Sequence, residues 1–301
     1  MRPQAEPGAV PQSPDPDPRC PNPESRIPIP DLRFPVLRSR RGRRTVSPMS
    51  PIITLLTDFG TADGYVAEMK GVILSALPGA SLIDVTHEIR AQDVEAARLV
   101  LARYWRRFPA GTVHIAVVDP GVGSSRVALA VAADGRFLVA PDNGVLSPAL
   151  IMPDARAVAL SIPAGASSTF HGRDVFSPAA AALAAGTPLD QLGSPFPNPL
   201  VRCTPEPART GDGAIRGEVI TIDRFGNAIT NVPGPLPGYG AWVGAMHLPL
   251  HDTYADVAPG EPVALTGSSG LIEIAVREGS AAQRLGLTRG AAIVLRPAIG
   301  P

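Results

Sequence analysis

Between residues 52 and 185 the chain alternates short apolar runs with stretches of helical periodicity. Residues 52–56 form a continuous apolar run typical of a buried strand, and residues 81–85 repeat that pattern. Between them, residues 63–77 place apolar side chains three or four positions apart, which predicts an amphipathic helix. This alternation favours an α/β domain with a mostly parallel sheet flanked by helices.

The same half of the chain carries four more predicted elements. A second helix is expected over residues 93–108, with Asp93 as its N-cap. The others are a buried strand at 112–118, a hairpin of 127–132 and 136–140 around Asp134-Gly135, and an alanine-rich helix at 176–185.

After prolines interrupt the pattern at 195–199, the chain shows short strands and almost no long helix. Such a series of strands predicts a small β-barrel or sandwich. We therefore expect an N-terminal α/β domain at 49–195 and a C-terminal β-barrel domain at 205–301.

Residues 1–48 differ from the rest, because prolines are dense and arginines cluster between Arg38 and Arg44. Too few apolar side chains are present to offset the entropy of ordering, so we expect a disordered extension. A nucleic-acid arm and a transit signal are alternatives. Met49 directly precedes the first predicted strand, which suggests an over-extended start site.

Composition narrows the class of ligand. The chain has 301 residues, 45% of them hydrophobic, and 27 basic residues balance 27 acidic ones. Without a net field, nucleic acid and anionic membranes are poor partners, and small molecules are favoured. Two cysteines are too few for a disulfide framework, and no long apolar segment or secretory signal is present, so we expect a cytoplasmic protein.

Polar turns follow several predicted strands, where α/β sheets bind ligands. Asp58 follows the first strand and could accept both ribose hydroxyls, although an Asx-turn is the alternative. Asp119 begins a glycine-containing turn that leads to Arg126, and a plain turn is again the alternative. Residues 170–174 place His171 and two charged residues before a helix, where a helix cap and a surface histidine would also explain them.

Two turns of the second domain offer further contacts. Asp223 to Asn227 fits a hairpin turn, but Phe225 beside Asn227 could also stack on a purine and hydrogen-bond to it. Gly267 to Gly270 contains Ser268 and Ser269, whose donors suit a carboxylate, with a plain loop as the alternative.

Taken in order along the chain, seven motifs resemble one known family. They are Thr57-Asp58-Phe59-Gly60, Asp84-Val85-Thr86-His87, Val118-Asp119-Pro120-Gly121-Val122-Gly123, Pro141-Asp142-Asn143-Gly144, Phe170-His171-Gly172-Arg173-Asp174, Asp223-Arg224-Phe225-Gly226-Asn227 and Glu273-Ile274-Ala275-Val276. The sequence is similar to the S-adenosyl-L-methionine hydroxide adenosyltransferases, which are related to the fluorinating and chlorinating enzymes that use the same substrate. The resemblance covers residues 52–297.

The resemblance implies an activity and an assembly. Family members convert S-adenosyl-L-methionine and water to adenosine and L-methionine by attack at the ribose 5′ carbon. They assemble as trimers with the site between subunits. Because a sulfonium is already a good leaving group, we expect no metal or redox cofactor. The family's catalytic triad falls on Asp119, Arg126 and His171, in which arginine would stabilise hydroxide character while Asp119 or His171 accepts the proton.

Analogy with the related halogenases implies the substrate contacts. Asp58 would hold the ribose diol, and Asp63 with Ser268 or Ser269 would contact the methionine end. Phe225 and Asn227 would contact adenine. Phe170 and Asp223 are implied as further substrate-binding residues. Halogenases carry a tyrosine and a serine where this chain has Asp119 and Gly172, and a carboxylate there would repel halide.

Rival classes make different demands on the sequence. A sensor that binds the substrate without turnover would need the ribose and adenine contacts but not the triad. A halogenase would need a halide site. A metal-dependent phosphohydrolase should show more carboxylate and histidine ligands than are visible. The intact triad favours the hydrolase.

Overall fold

The computed structural model describes residues 50–298. Residues 1–49 and 299–301 lie outside the described part of the chain, so the disorder expected for 1–48 stays a prediction. Within the described residues the chain divides into two compact units after Arg202. Each unit is described by itself.

The N-terminal unit is built on a seven-stranded sheet in the order β2-β1-β3-β5-β4-β6-β7. Its strands are β1 (Ile52–Thr57), β2 (Ser81–Thr86), β3 (Val113–Val117), β4 (Ala128–Ala133), β5 (Arg136–Pro141), β6 (Arg156–Leu160) and β7 (Gly193–Pro195). Its helices are α1 (Tyr65–Ala76), α2 (Val94–Tyr104), α3 (Ser147–Leu150) and α4 (Ser177–Ala184).

The sheet is parallel only in the half that contains β1, β2, β3 and β5. The other half is antiparallel, because β5 returns beside β4 through a tight hairpin and β4 also pairs antiparallel with β6. Asp134 and Gly135 both have positive φ, 48° and 69°, as a type I′ turn requires. The hairpin prediction is confirmed, and the mixed sheet is less parallel than the pattern of strands and helices suggested.

Helices cover both faces of this sheet. One apolar core packs α1 and α4 against side chains such as Ile53 and Ile115, and the other packs α2 against Leu56 and Ala116. Alternate residues of one strand thus enter opposite cores, as the pleat requires. Asp93 caps α2 as predicted, since its Oδ1 accepts a hydrogen bond from the backbone N–H of Ala96 at 2.9 Å.

The C-terminal unit is a closed seven-stranded β-barrel. The ring runs β10-β14-β13-β12-β11-β15-β9 and closes by pairing of β9 with β10, while β8 lies outside it beside β9. The strands are β8 (Ala208–Arg209), β9 (Ile215–Ile222), β10 (Ala228–Pro233), β11 (Tyr239–Val243), β12 (Met246–His251), β13 (Pro262–Thr266), β14 (Leu271–Val276) and β15 (Ala292–Pro297), with one short helix, α5 (Ala281–Leu285). The predicted barrel is confirmed.

No helix among residues 50–298 combines the length and the apolarity that crossing a membrane would require.

Candidate active site

The turn that follows β3 is fixed at both of its ends by one neighbouring segment. Nδ2 of Asn143 donates to the carbonyl of Val118 at 2.8 Å, and the backbone N–H of Asp142 donates to the carbonyl of Val127 at 2.8 Å. These two acceptors flank the turn that runs from Asp119 to Arg126. The Pro141–Gly144 motif therefore anchors this turn.

Within that turn Arg126 forms a fork-like ion pair with Asp119. Nε of Arg126 donates to Oδ1 of Asp119 at 2.9 Å, and Nη2 donates to Oδ2. Both side chains are almost buried, with 9% and 5% exposed. Nη2 also lies 2.9 Å from Nδ1 of His171, so three residues that span 52 positions of the chain meet in one cluster.

A close backbone approach brings the His171 segment to this turn. Gly123 has φ +78°, and a Cβ at this position would lie 2.6 Å from the carbonyl oxygen of Ser168. Only glycine fits such a contact without a shift in the backbone. After His171, residues Gly172–Phe176 form one π-helical turn before α4, and such turns are frequent at functional sites.

His171 is buried, with 4% of the residue exposed, so the surface-histidine alternative is wrong. Burial lowers its pKa, and the neighbouring positive charge of Arg126 lowers it further, against the opposing effect of Asp119. The imidazole is therefore neutral at neutral pH. A guanidinium can only donate hydrogen bonds, so Nδ1 must accept from Arg126, and the proton of the neutral ring lies on Nε2.

One donor of the cluster is left over. Nη1 of Arg126 is buried and has no hydrogen-bond partner among residues 50–298. A buried guanidinium N–H without a protein partner is costly, so this donor is available to an oxygen of water or of a ligand. The described residues contain no group of three or more histidine, cysteine, aspartate or glutamate side chains placed to hold a metal ion.

Asp58 follows β1 at the same edge of the sheet as Asp119. Its Oδ2 accepts a hydrogen bond from the backbone N–H of Gln92 at 2.8 Å. Gln92 holds the unusual φ of +66°, and strained backbone of this kind clusters at functional sites. Asp63 is exposed in the segment between β1 and α1. Sequence reasoning missed Gln92, because a left-handed glutamine has no typical motif.

Three aromatic rings pack edge to face beside His171. Phe59 lies 5.8 Å from Phe170 and 6.0 Å from Tyr65, and Tyr65 lies 5.3 Å from Phe170, as measured between ring centroids. A Cβ on Gly172 would lie only 3.1 Å from Phe170 and 3.3 Å from Phe59. A small residue at 172 therefore lets the cluster close.

In the C-terminal unit, Asp223 organises the predicted turn. Its Oδ1 accepts from the backbone N–H groups of Phe225 and Asn227, both at 2.9 Å, and its Oδ2 accepts from Nδ2 of Asn227 at 3.2 Å. Phe225 is 76% exposed, whereas Asn227 is buried. The structural interpretation of this motif as a turn is confirmed, and its contact with adenine stays a prediction.

The turn with Ser268 and Ser269 joins β13 to β14. Close behind it lies the buried carboxylate of Glu273, since a Cβ on Gly267 would be 2.5 Å from Oε2 of Glu273. The hydroxyl of Tyr254 donates to Oε1 of Glu273 at 2.5 Å, and the Tyr254 ring is partly exposed. Burial raises the pKa of Tyr254, and so does this hydrogen bond. Sequence reasoning missed Tyr254, which lies in a polar segment with no distinctive pattern.

Comparisons with known proteins agree with the order of the motifs. A family model described as the SAM hydroxide adenosyltransferase N-terminal domain matches residues 53–193, and one described as the C-terminal domain of that family matches residues 217–294. Together the two models span most of the described chain.

Individual proteins are similar to this chain over most of its length. A protein of Thermus thermophilus named (R)-S-adenosyl-L-methionine hydrolase is 43% identical over 256 residues, covering 80% of this chain and 98% of the relative. A fluorinase of an Actinoplanes species is more distant, at 30% identity over 270 residues, covering 75% of this chain and 91% of the relative. The solved structure of an uncharacterized conserved protein from Thermotoga maritima matches with a TM-score of 0.75 and 34% identity, covering 81% of this chain and 99% of that one.

Proposed function

Because the chain belongs to the SAM hydroxide adenosyltransferase family, we propose that it is an enzyme that hydrolyses S-adenosyl-L-methionine to adenosine and L-methionine. The name of the Thermus thermophilus relative specifies the (R) configuration at sulfur, and we propose the same substrate for this chain. The observation that carries the proposal is the buried Asp119–Arg126–His171 cluster with a spare donor on Arg126.

The proposed reaction is a single displacement. The oxygen of water forms a bond to the ribose 5′ carbon while the bond from that carbon to sulfur breaks, and its electron pair stays on sulfur as the neutral thioether of methionine. The water gives up one proton. A sulfonium is already a good leaving group, so catalysis rests on in-line positioning and on a nucleophile stripped of bulk water.

Asp119 is the proposed acceptor of the proton. Its carboxylate uses one lone pair on each oxygen for Arg126, which leaves further acceptor sites free for water. His171 is the weaker candidate, because Nδ1 already accepts from Arg126 and Nε2 carries the proton of the neutral ring. We propose that His171 holds Arg126 in place.

Arg126 is the proposed electrostatic partner of the nucleophile. Its unpaired Nη1 donor can hold the attacking oxygen as that oxygen gains hydroxide character. The guanidinium also packs over the ring of Phe176, 5.4 Å from its centroid, which restricts its movement. A fixed donor needs no reorganisation when charge develops.

The remaining proposed contacts bind the substrate. Asp58 accepts the ribose hydroxyls, and Asp63 and Ser268 or Ser269 contact the methionine end. Phe225 and Asn227 bind adenine, with Asp223 as the support of that turn. Phe170 packs with Phe59 and Tyr65 and is a further proposed contact of the substrate.

Halide transfer is disfavoured by the same residues. Asp119 places a negative charge beside the nucleophile position, where chloride or fluoride would be repelled. Gly172 removes the hydroxyl that the halogenases carry at this place and is closely surrounded by Phe170, Met69 and Phe59. Water is neutral and meets no such repulsion.

We further propose that the enzyme needs no cofactor, works as a homotrimer with its site at the subunit interface, and is cytoplasmic. The family resemblance supports the assembly. The zero formal net charge supports a small-molecule substrate over nucleic acid or a membrane surface. Light scattering coupled to size-exclusion chromatography would measure the mass of the assembly directly.

One incubation tests the proposed activity. The purified protein is mixed with S-adenosyl-L-methionine and the products are separated by chromatography, with Asp119→Asn as the matched control. Appearance of adenosine and methionine in equal amounts, strongly reduced in the variant, supports the hydrolase. Tight binding of the substrate without any adenosine would instead identify a sensor, and a halogenated nucleoside in the presence of chloride or fluoride would identify a halogenase.

A further inference from the structure

A chain of polar contacts runs from the surface of the N-terminal unit to the start of the Asp58 turn, defined here as residues 57–60. Nζ of Lys70, the chain's only lysine, donates to Oδ2 of Asp84 at 2.6 Å. Oδ1 of Asp84 lies 3.1 Å from Nε2 of His87, and Nδ1 of His87 lies 2.8 Å from Oγ1 of Thr57. The catalytic cluster described above uses none of these four residues.

The order of groups in this chain determines which ring nitrogen of His87 accepts a hydrogen bond. Oγ1 of Thr57 accepts the backbone N–H of Phe59 at 3.2 Å, so its own hydrogen is free to be donated to Nδ1 of His87. Nε2 then faces Oδ1 of Asp84 at ion-pair distance, without an aligned hydrogen bond. Burial works to raise the pKa of Asp84, but the contacts with Lys70 and His87 keep that pKa below its usual value, so the carboxylate is charged at neutral pH.

A carboxylate, an imidazole and a hydroxyl in sequence also form the nucleophilic triad of many hydrolases. Here the hydroxyl end is inaccessible, because Thr57 is fully buried and no substrate carbon can reach its oxygen. The carboxylate end is the open one, with 43% of the Asp84 side chain exposed. The arrangement is thus a structural support and not a second catalytic triad.

This support holds the Asp58 turn against the His87 loop, defined as residues 86–92. Besides the Thr57 contact, the carbonyl of His87 accepts the backbone N–H of Gly60 at 2.8 Å. At the far end of the loop, the N–H of Gln92 binds Oδ2 of Asp58. Three contacts therefore join the Asp58 turn to the His87 loop. Together they fix the position of the Asp58 carboxylate.

We infer that His87 is a positioning residue that fixes Asp58 for the ribose of the substrate, with Asp84 and Lys70 orienting its ring. This inference rests on the proposed role of Asp58. Removing His87 leaves Asp58 in the chain but frees the turn, so the loss falls on substrate affinity and not on the water-activating cluster.

The test compares two buried histidines of the N-terminal unit. His114 in β3 is also fully buried, and its Nδ1 also lies 2.8 Å from a threonine hydroxyl, that of Thr54. It lies five residues before Asp119, about 16 Å along an extended strand, and thus away from the carboxyl edge. His87→Phe and His114→Phe remove comparable contacts, and only the first disturbs the Asp58 turn.

We expect both variants to lower the melting temperature, whereas only His87→Phe raises KM, by about three- to tenfold, with kcat changed less. His87→Asn is the conservative variant, because its amide oxygen takes the place of Nδ1 as acceptor for Thr57, and it should restore most of the affinity. Should His87→Phe fail to fold, Asp84→Asn at the exposed end of the chain of contacts serves as the second variant. We expect it to raise KM in the same way, but by less.

The double variant Asp58→Ala/His87→Phe separates the possible outcomes. If His87 acts through Asp58, the KM of the double variant equals that of Asp58→Ala alone. A raised KM for Asp58→Ala with an unchanged KM for His87→Phe and Asp84→Asn would overturn this inference and leave the proposed function intact. An unchanged KM for Asp58→Ala would overturn the ribose role of Asp58 and this inference with it.

Discussion

Nη2 of Arg126 lies 2.9 Å from Nδ1 of His171. Because arginine only donates, this contact uses the lone pair with which His171 could accept a proton. The lowered pKa of the buried ring keeps it neutral, with its hydrogen on Nε2. This geometry supports the proposed roles, in which His171 holds Arg126 in place and Asp119 accepts the proton.

Two substitutions of His171 separate these roles. His171→Asn places an amide oxygen near the position of Nδ1 and keeps an acceptor for Arg126, whereas His171→Phe keeps volume and removes the acceptor. We expect kcat of the asparagine variant to stay within about tenfold of the unmodified enzyme and the phenylalanine variant to fall further. Equal losses of about 10² or more in both would identify His171 as the general base.

A second pair of variants separates binding from chemistry. Asp58→Ala removes a charged hydrogen-bond acceptor from the ribose, which should weaken substrate binding by about 1.5–3 kcal/mol and leave the chemical step largely intact. Asp119→Asn keeps the shape but loses charge and basicity, so binding should change only a few-fold while turnover falls by about 10² or more. Calorimetric titration and single-turnover kinetics measure the two quantities separately.

Normal turnover of Asp119→Asn would remove Asp119 from the mechanism. Unchanged affinity of Asp58→Ala would remove Asp58 from the ribose site.

The local pattern of the sequence predicted the elements that depend on near neighbours. The Asp134-Gly135 turn and the Asp93 cap are decided by a few consecutive residues, and both are present. The series of short strands predicted a small barrel or sandwich, and the structure closes seven strands into a barrel. The contact of Asp119, Arg126 and His171 was anticipated only through the family resemblance, since spacing alone does not place residue 171 beside residue 119.

Other features depend on long-range contacts or on one-residue irregularities. The π-helical turn at Gly172–Phe176 adds a residue to a helical turn, which hydrophobic periodicity does not reveal. The antiparallel pairing of β4 with β6 joins strands that are separated by β5 and α3 along the chain. A local sequence pattern does not reveal such a pairing. The left-handed Gln92 is imposed by its contact with Asp58 across 34 positions, so no local preference announces it.

Gln92 offers a test of the backbone contact that holds Asp58. Gln92→Gly keeps the N–H and adopts φ +66° without strain, so we expect unchanged KM and a gain in stability of up to about 1 kcal/mol. Gln92→Pro cannot adopt that φ and has no N–H, so KM should rise as in Asp58→Ala. A rise in KM for the glycine variant would show that the glutamine side chain, and not its backbone, matters.

His114, the buried histidine of β3, predicts how the stability of the protein depends on pH. Burial lowers the pKa of His114 to about 3, and the positive charge of Arg136 contributes. The unfolded chain, with an ordinary histidine pKa of about 6.5, therefore binds this proton more readily between about pH 3 and 6.5. Stability from this group is present above pH 6.5 and decreases as the pH falls.

His114→Phe has no such proton. Its free energy of unfolding should be lower than that of the unmodified protein at pH 7, and the difference should shrink toward pH 4, by at most about 1.4 kcal/mol per pH unit. Denaturant titrations at several pH values measure this difference. A difference that stays constant from pH 7 to pH 4 would contradict the lowered pKa.

The most direct test of the proposed mechanism follows the oxygen atom. In water enriched in heavy oxygen, with chloride or fluoride added, a single turnover of S-adenosyl-L-methionine should place the label in the 5′ hydroxyl of adenosine and yield no halogenated nucleoside. Mass spectrometry of the nucleoside reads both results from one sample. Unlabelled adenosine, or a 5′-halogenated product, would contradict attack by water beside Asp119 and Arg126.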